Sequence, residues 1–175
     1  MKFLEIEELL SLLKERLGNS FKSGEIRSWT SGVKKLECKG LWVEIDPKAL
    51  PDFIKILMEL DETPHSMVAS AEDLGEEIAI IYHLAIYGGE FNREIQINVK
   101  VKVPKENPKL PSISHFIPGA LITEQEKEEM IGVIYEDLPE RRHVFLADDF
   151  PEGIYPWRKD EKGPDSLVRK LNEVR

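Results

Sequence analysis

Apolar side chains at Phe3, Leu4, Ile6, Leu9, Leu10, Leu13 and Leu17 recur at helical spacing, with Glu5, Glu8, Lys14 and Glu15 between them. The run stops at Gly18-Asn19, so residues 3–17 are predicted as an amphipathic helix. Glu25 to Trp29 and Lys34 to Ile45 pattern as strands, joined by Thr30-Ser31-Gly32. From Pro47 a second helix is predicted to Leu60, with Leu50, Phe53, Ile54, Leu57 and Met58 as its buried stripe. Pro47 falls near its first turn, where proline is tolerated. His65 to Asp73 is predicted as a strand despite poor alternation, and Ile78 to Tyr87 as a central strand, apolar on both faces. After a turn at Gly88-Gly89, Ile95, Ile97, Val99, Val101 and Val103 point one way, and Glu94, Gln96, Asn98, Lys100 and Lys102 the other. That alternation predicts one buried face and one wet face.

The order helix, two strands, helix, three strands predicts an α+β fold: a two-layer domain over residues 1–103, with helices packed on a mixed sheet. Residues 104–175 read as an extended, proline-rich segment and not as an independent domain. One short helix stands out there, with Thr123 as N-cap, Glu126 completing a capping box and Gly132 ending it. Asp165 to Val174 is predicted as a final helix. The segment keeps Phe116, Tyr135, Phe145, Phe150, Tyr155 and Trp157, so it is expected to lie ordered along a surface, its own or a partner's.

Charge narrows the function classes. Thirty-three acidic against 24 basic residues give a net charge of −9, which leaves no basic stripe to displace phosphate counterions. Nucleic acid is therefore not an expected partner. The single cysteine, Cys38, supplies neither a structural disulfide, a zinc knuckle nor an iron–sulfur cluster. That lone thiol predicts an intracellular chain, and carboxylates at Glu5, Glu7 and Glu8 stand where a signal peptide needs an uncharged run. The apolar stretch from Ile78 to Tyr87 is about half of the roughly 20 residues a spanning helix needs. Membrane contact is expected through partner subunits alone. The high Lys and Glu content fits a thermophile.

Candidate chemistry is sparse. His65, His83, His115 and His143 are not at ligand spacing. His83, in the central strand, is read as a buried histidine with one hydrogen-bond partner in preference to a ligand or a base. No serine sits in a nucleophile-elbow context, and Gly88-Gly89 is a hairpin turn. Glu124, Glu126, Glu128 and Glu129 crowd one helix. A carboxylate metal site is weighed there against a solvated or partner-facing helix, and the latter is preferred. Asp148-Asp149 lacks a third acidic ligand nearby. Arg141-Arg142 and Arg158-Lys159 are read as ion-pair formers in preference to phosphate clamps. No catalytic, cofactor-binding or metal-binding residue is assigned.

Two stretches carry a resemblance. Ile80-Ile81-Tyr82-His83-Leu84, followed by Asn92-Arg93-Glu94-Ile95-Gln96-Ile97-Asn98-Val99-Lys100-Val101, resembles a strand pair of the C-type subunits of the NADH:quinone oxidoreductases, the complex I enzymes. That family includes the related subunits of membrane-bound, energy-converting nickel–iron hydrogenases. Pro111-Ser112-Ile113-Ser114 and Pro118-Gly119-Ala120 resemble the entry to its signature helix, commonly E-R-E-x-Y/F-D-M/L-F/Y-G. Here that helix reads Glu124-Gln125-Glu126-Lys127-Glu128-Glu129-Met130-Ile131-Gly132. Pro139-Glu140-Arg141-Arg142-His143-Val144-Phe145-Leu146-Ala147-Asp148-Asp149-Phe150, then Gly153 and Pro156-Trp157-Arg158-Lys159-Asp160, echo the family's C-terminal string. The departures are Gln125 for arginine, Glu128 for an aromatic, Glu129 for aspartate and Asp137-Leu138 for Gly-His.

The resemblance implies a non-catalytic, cofactor-free subunit of a hydrophilic arm, held on the cytoplasmic face of the cell membrane by its neighbours. Those would be a large catalytic subunit and iron–sulfur subunits, carrying the nickel–iron centre and the clusters. The divergent signature and the composition point to the hydrogenase branch, with an NADH- or ferredoxin-linked quinone or sulfur oxidoreductase as the alternative. A free-standing binding module using His83 or Glu124 to Glu129 is the rival from another class. The expected partner interface comprises Glu124, Glu126, Glu129, Gly132, Arg141, Arg142, Arg158, Lys159 and Asp160. Charge reversal at Arg158 is expected to weaken assembly more than the isolated fold.

Overall fold

In the computed structural model, which describes residues 3–33, 35–89 and 93–167, the strand of sharpest alternation sits at the centre of the sheet. The elements run α1 (Ile6–Leu17), β1 (Phe21–Ser31), β2 (Leu36–Ile45), α2 (Leu50–Leu60), β3 (His65–Asp73), β4 (Glu77–Ile86) and β5 (Ile95–Pro104). Then follow β6 (Lys109–Pro111), α3 (Leu121–Ile131) and β7 (Ile134–Glu136). Strands order as β1-β2-β5-β4-β3, with β2 and β5 parallel and the other pairs antiparallel. The fold is a mixed-sheet α+β domain, as the element order predicts.

Alternation explains which face is covered. Ile95, Ile97, Val99, Val101 and Val103 of β5 are buried, in register with Leu41 and Val43 of β2 and with Ile78, Ile80, Tyr82, Leu84 and Ile86 of β4. Against them pack Ile6, Leu9, Leu13 and Leu17 of α1 and Leu50, Phe53, Ile54, Ile56 and Leu57 of α2. Each such side chain contributes about 1.5–3 kcal/mol of burial free energy. Met58, expected in the stripe, is half-buried at its margin, and Ile56 takes the inward position. The second face of β5 is drier than expected. Asn98 is buried, and Gln96, Lys100 and Lys102 are half-buried between neighbouring strands. Strand β1 runs well past Glu25–Trp29, is exposed for most of its length and forms an edge of the sheet, paired on one side only.

The C-terminal segment completes the same core. Leu110, Ile113, Ile117, Ala120, Ile131, Val133, Tyr135 and Leu138 join the cluster built by α1, α2 and the sheet. The parallel pair β6–β7 is absent from the sequence reading, since three residues beside Pro108 and Pro111 are too few to show a period. Of the expected final helix, Asp165 to Leu167 lies within a 3-10 turn at Pro164–Leu167, and residues 168–174 fall outside the described ones.

Candidate functional site

Helix α3 carries most of the acidic residues singled out in the C-terminal segment, and it begins earlier than its capping pattern predicts. A 3-10 turn at Pro118–Ala120 leads straight into Leu121, so the N-cap position is Ala120. Thr123 is already helical, and its Oγ1 donates back to the Ala120 carbonyl at 2.9 Å. The capping box at Thr123 and Glu126 is thereby corrected. Gly132 does end the helix, at φ 79°, and a Cβ there would stand 2.6 Å from the Tyr155 ring.

The charged helix is not a solvated face, and this is the main correction to the sequence reading. Glu124 is wholly buried, and Gln125, Lys127 and Glu129 are buried with it. Each is accommodated because its own chain supplies partners, which is the condition for burying polar groups. Glu124 Oε1 accepts from the Ile113 amide (2.8 Å) and the Tyr82 hydroxyl (3.1 Å), while Oε2 accepts from Ser112 Oγ (2.6 Å). Burial pushes its pKa up, against the pull of these donors. The Tyr135 hydroxyl, buried nearby, has its pKa pushed up by burial and by the Glu124 charge. Gln125 Nε2 donates to the Glu140 carbonyl at 3.0 Å. Glu128 pairs with Arg141, which also reaches the Tyr135 carbonyl.

Glu129 organises a loop. Its carboxylate accepts from the backbone amides of Val144 (3.1 Å), Phe145 (2.8 Å) and Leu146 (3.3 Å), and lies 3.1 Å from His143 Nδ1. Phe145 is thus held on a fixed loop with 59% of its surface exposed. Lys127 packs beside the Trp157 ring at 5.0 Å. At the other end of α3, the Met130 carbonyl accepts from the Trp157 amide (2.8 Å) and the Ile131 carbonyl from Arg158 Nε (2.7 Å). A guanidinium there also suits the negative end of the helix dipole. Lys105 Nζ then bridges Asp73 (2.8 Å) and Asp160 (2.7 Å), and the Lys159 amide donates to Asp73 at 2.9 Å. Burial works to raise the Asp73 pKa, yet Lys105 and the amides of Lys159 and Gly75 outweigh it and hold it at about 2.

All nine residues expected at a partner interface gather around α3 and the adjoining chain, in different settings. Glu124, Glu129, Gly132 and Arg158 are turned inward, Glu126 and Asp160 are half-buried, and Arg141, Arg142 and Lys159 are exposed. Reversing Arg158 would strip a carbonyl partner from inside the fold, so the fold should weaken along with assembly. A groove of about 490 Å³ opens beside Gln125, Glu129, Arg142, Leu146, Phe150 and Tyr155. Tyr82, Ser112, Asp73 and Lys105 were not legible as parts of this arrangement, since their partners lie far along the chain. Among the described residues no group of three or more His, Cys, Asp or Glu side chains is disposed to hold a metal ion. No described helix is long and apolar enough to cross a membrane.

Residues 43–166 match the model of the family described as "Respiratory-chain NADH dehydrogenase, 30 Kd subunit". The chain belongs to that family. The membrane-bound hydrogenase subunit beta of Pyrococcus furiosus is 34% identical over 164 residues, covering 93% of this chain and 90% of the relative. Formate hydrogenlyase subunit 5 of Escherichia coli K12 is 37% identical over 81 residues, 45% of this chain and 14% of that protein. In structure, a chain of the membrane-bound sulfane sulfur reductase, an archaeal respiratory membrane complex, superposes with a TM-score of 0.68 at 21% identity, covering 96% of this chain and 88% of that one. This 30 Kd family member therefore shares its fold with a chain of a respiratory membrane complex and its sequence with a hydrogenase subunit. Gln125, Glu128 and Glu129, where the sequence departs from the expected signature, each hold part of the chain that wraps α3.

Proposed function

We propose that the chain is a non-catalytic scaffold subunit of a membrane-bound nickel–iron hydrogenase, docked against the large catalytic subunit on the cytoplasmic side. The observation that carries this reading is the near full-length similarity to a membrane-bound hydrogenase subunit, 34% identity over 93% of this chain. The match within formate hydrogenlyase subunit 5 supports it, because there the matching stretch is 14% of a longer protein. A unit that is tethered to a larger chain in one protein and separate in another is suited to meeting that neighbour in trans.

The docking surface in this reading is the outer side of the wrap around α3: Arg141, Arg142, Phe145, Trp157 and Lys159, with Glu126 and Asp160 at its margin. The buried members, Glu124, Glu129, Gly132 and Arg158, hold that surface in shape. A preordered surface loses less conformational entropy on assembly, and interfaces of permanent complexes commonly bury more than about 2,000 Å². The nickel–iron centre and iron–sulfur clusters belong to the partner subunits.

A second reading, a subunit of a sulfur-reducing complex, is favoured by the structural likeness to the sulfane sulfur reductase chain. Affinity purification of the tagged chain from detergent-solubilised native membranes, with partner identification and metal analysis, separates the two. Co-purifying large and iron–sulfur subunits with stoichiometric nickel support the hydrogenase. The same partners without nickel move the chemistry to sulfur or another acceptor. Recovery of the chain alone from the soluble fraction overturns both.

A further inference from the structure

The face of the sheet turned away from α1 and α2 carries a hydrogen-bonded row across four neighbouring strands. Ser70 Oγ of β3 lies 2.8 Å from His83 Nε2 of β4. His83 Nδ1 lies 2.5 Å from Asn98 Oδ1 of β5, and Asn98 Nδ2 donates to the Leu41 carbonyl of β2 at 3.4 Å. The backbone fixes the sense of the row. A carbonyl accepts only, so the Asn98 amide nitrogen faces Leu41 and its oxygen faces the ring. Nδ1 must then carry the hydrogen, which leaves the Nε2 lone pair to accept from Ser70. Trp42 meets the imidazole edge-on, with ring centroids 6.3 Å apart, and limits its rotation.

We infer that Ser70 is an activated nucleophile, a site of O-acylation by activated acyl esters or thioesters. Hydroxyl, imidazole and orienting amide stand in the relation that makes serine and cysteine nucleophiles reactive: base within hydrogen-bond reach, base held by a third group. Ser70 is exposed, so an acyl donor reaches it. It lies on an edge strand paired on one side only, open to an approaching acyl donor. Val68, 43% exposed and paired with His83, offers an apolar rest for the acyl chain. In the step, Ser70 Oγ attacks the acyl carbon and a C–O bond forms. The hydroxyl proton passes to His83 Nε2, the bond to the leaving oxygen or sulfur breaks, and the leaving group takes that proton. No oxidant or reductant enters. Asn98 touches neither acyl group nor leaving group and acts as a positioning residue.

The probe is 4-nitrophenyl acetate with the full chain, followed by nitrophenolate release and peptide mass spectrometry. A burst of one equivalent with the acetyl group on Ser70 is expected, absent in Ser70→Ala. His83→Gln should slow it about 100-fold, the scale of general-base assistance. Asn98→Leu should slow it, while Asn98→Asp, which keeps the acceptor, should restore it. A purely structural row would not distinguish those two by acylation rate when circular dichroism shows both folded. Acetylation scattered over lysines and other serines, or a Ser70 rate unchanged in His83→Gln, overturns the inference.

Discussion

Helices α2 and α3 share length and lead-in: eleven residues each, entered from a proline-led 3-10 turn whose last alanine is the N-cap. They are buried by opposite chemistries. Helix α2 hides Leu50, Phe53, Ile54, Ile56 and Leu57, whereas α3 hides Glu124, Gln125, Lys127 and Glu129 alongside Ile131. Apolar contact tolerates small shifts of its neighbours, because any close-packed side chain satisfies it. Hydrogen bonds to buried carboxylates demand particular donors at particular places. The first chemistry builds a core, and the second fixes the path of the chain around it.

The contrast predicts unequal responses to shape-conserving changes. Glu124→Leu, similar in size, orphans the buried Ile113 amide and Tyr82 hydroxyl at about 1–3 kcal/mol each, while Ser112 Oγ keeps Ser114 Oγ at 2.6 Å, and should cost about 3–5 kcal/mol in denaturant unfolding. In α2, Phe53→Leu should cost about 1–2 kcal/mol, although the full truncation Phe53→Ala reaches about 3–5. Comparable losses for Glu124→Leu and Phe53→Leu would dissolve the distinction. Glu129→Ala should cost less, about 1–2 kcal/mol, since water can reach residues 143–146. Its sharper signature is faster amide exchange at Val144, Phe145 and Leu146 with α2 unaffected.

Acid offers a milder break. Asp73 has its pKa held at about 2, below the ordinary 3.8, so its contribution is present above pH 3.8 and is lost as pH falls towards 2. Exchange protection at Lys159 should fade in that window before α1 and α2 open. Smallest for the fold is Arg142→Glu, within about 0.5 kcal/mol, because its side chain is exposed and its pair with Glu140 is exposed and long at 3.6 Å. Weakened recovery of partner subunits with that variant, against unchanged stability, would mark Arg142 as part of the docking surface.

Much of the sheet was legible because period-two patterns in residues 95–103 and the apolar run of residues 78–87 report burial directly. The α1 and α2 stripes were legible for the same reason, to within one position at Met58 and Ile56. Around α3 that signal fails: no apolar stripe marks a helix held by hydrogen bonds, so Glu124 and Glu129 read as surface carboxylates. Their donors, Tyr82, Ser112 and the amides of residues 113 and 144–146, carry no local mark of the role. The family signature located the helix, and its helical positions facing the fold could be known only once the wrap was seen. His83 was read as a residue with one partner, and the register that sets Ser70 and Asn98 on either side of it is a property of the assembled sheet.

Strand β5 joins β2 to β4, although it is the last of the five to leave the ribosome. Until residue 104 has been synthesised, the nascent chain holds two separate hairpins, β1–β2 and β3–β4, each with an unpaired inner edge. Those edges can recruit a foreign strand as readily as their own missing partner. A chain terminated before Ile95 would keep most of its helical stripes and lack the strand they were meant to cover.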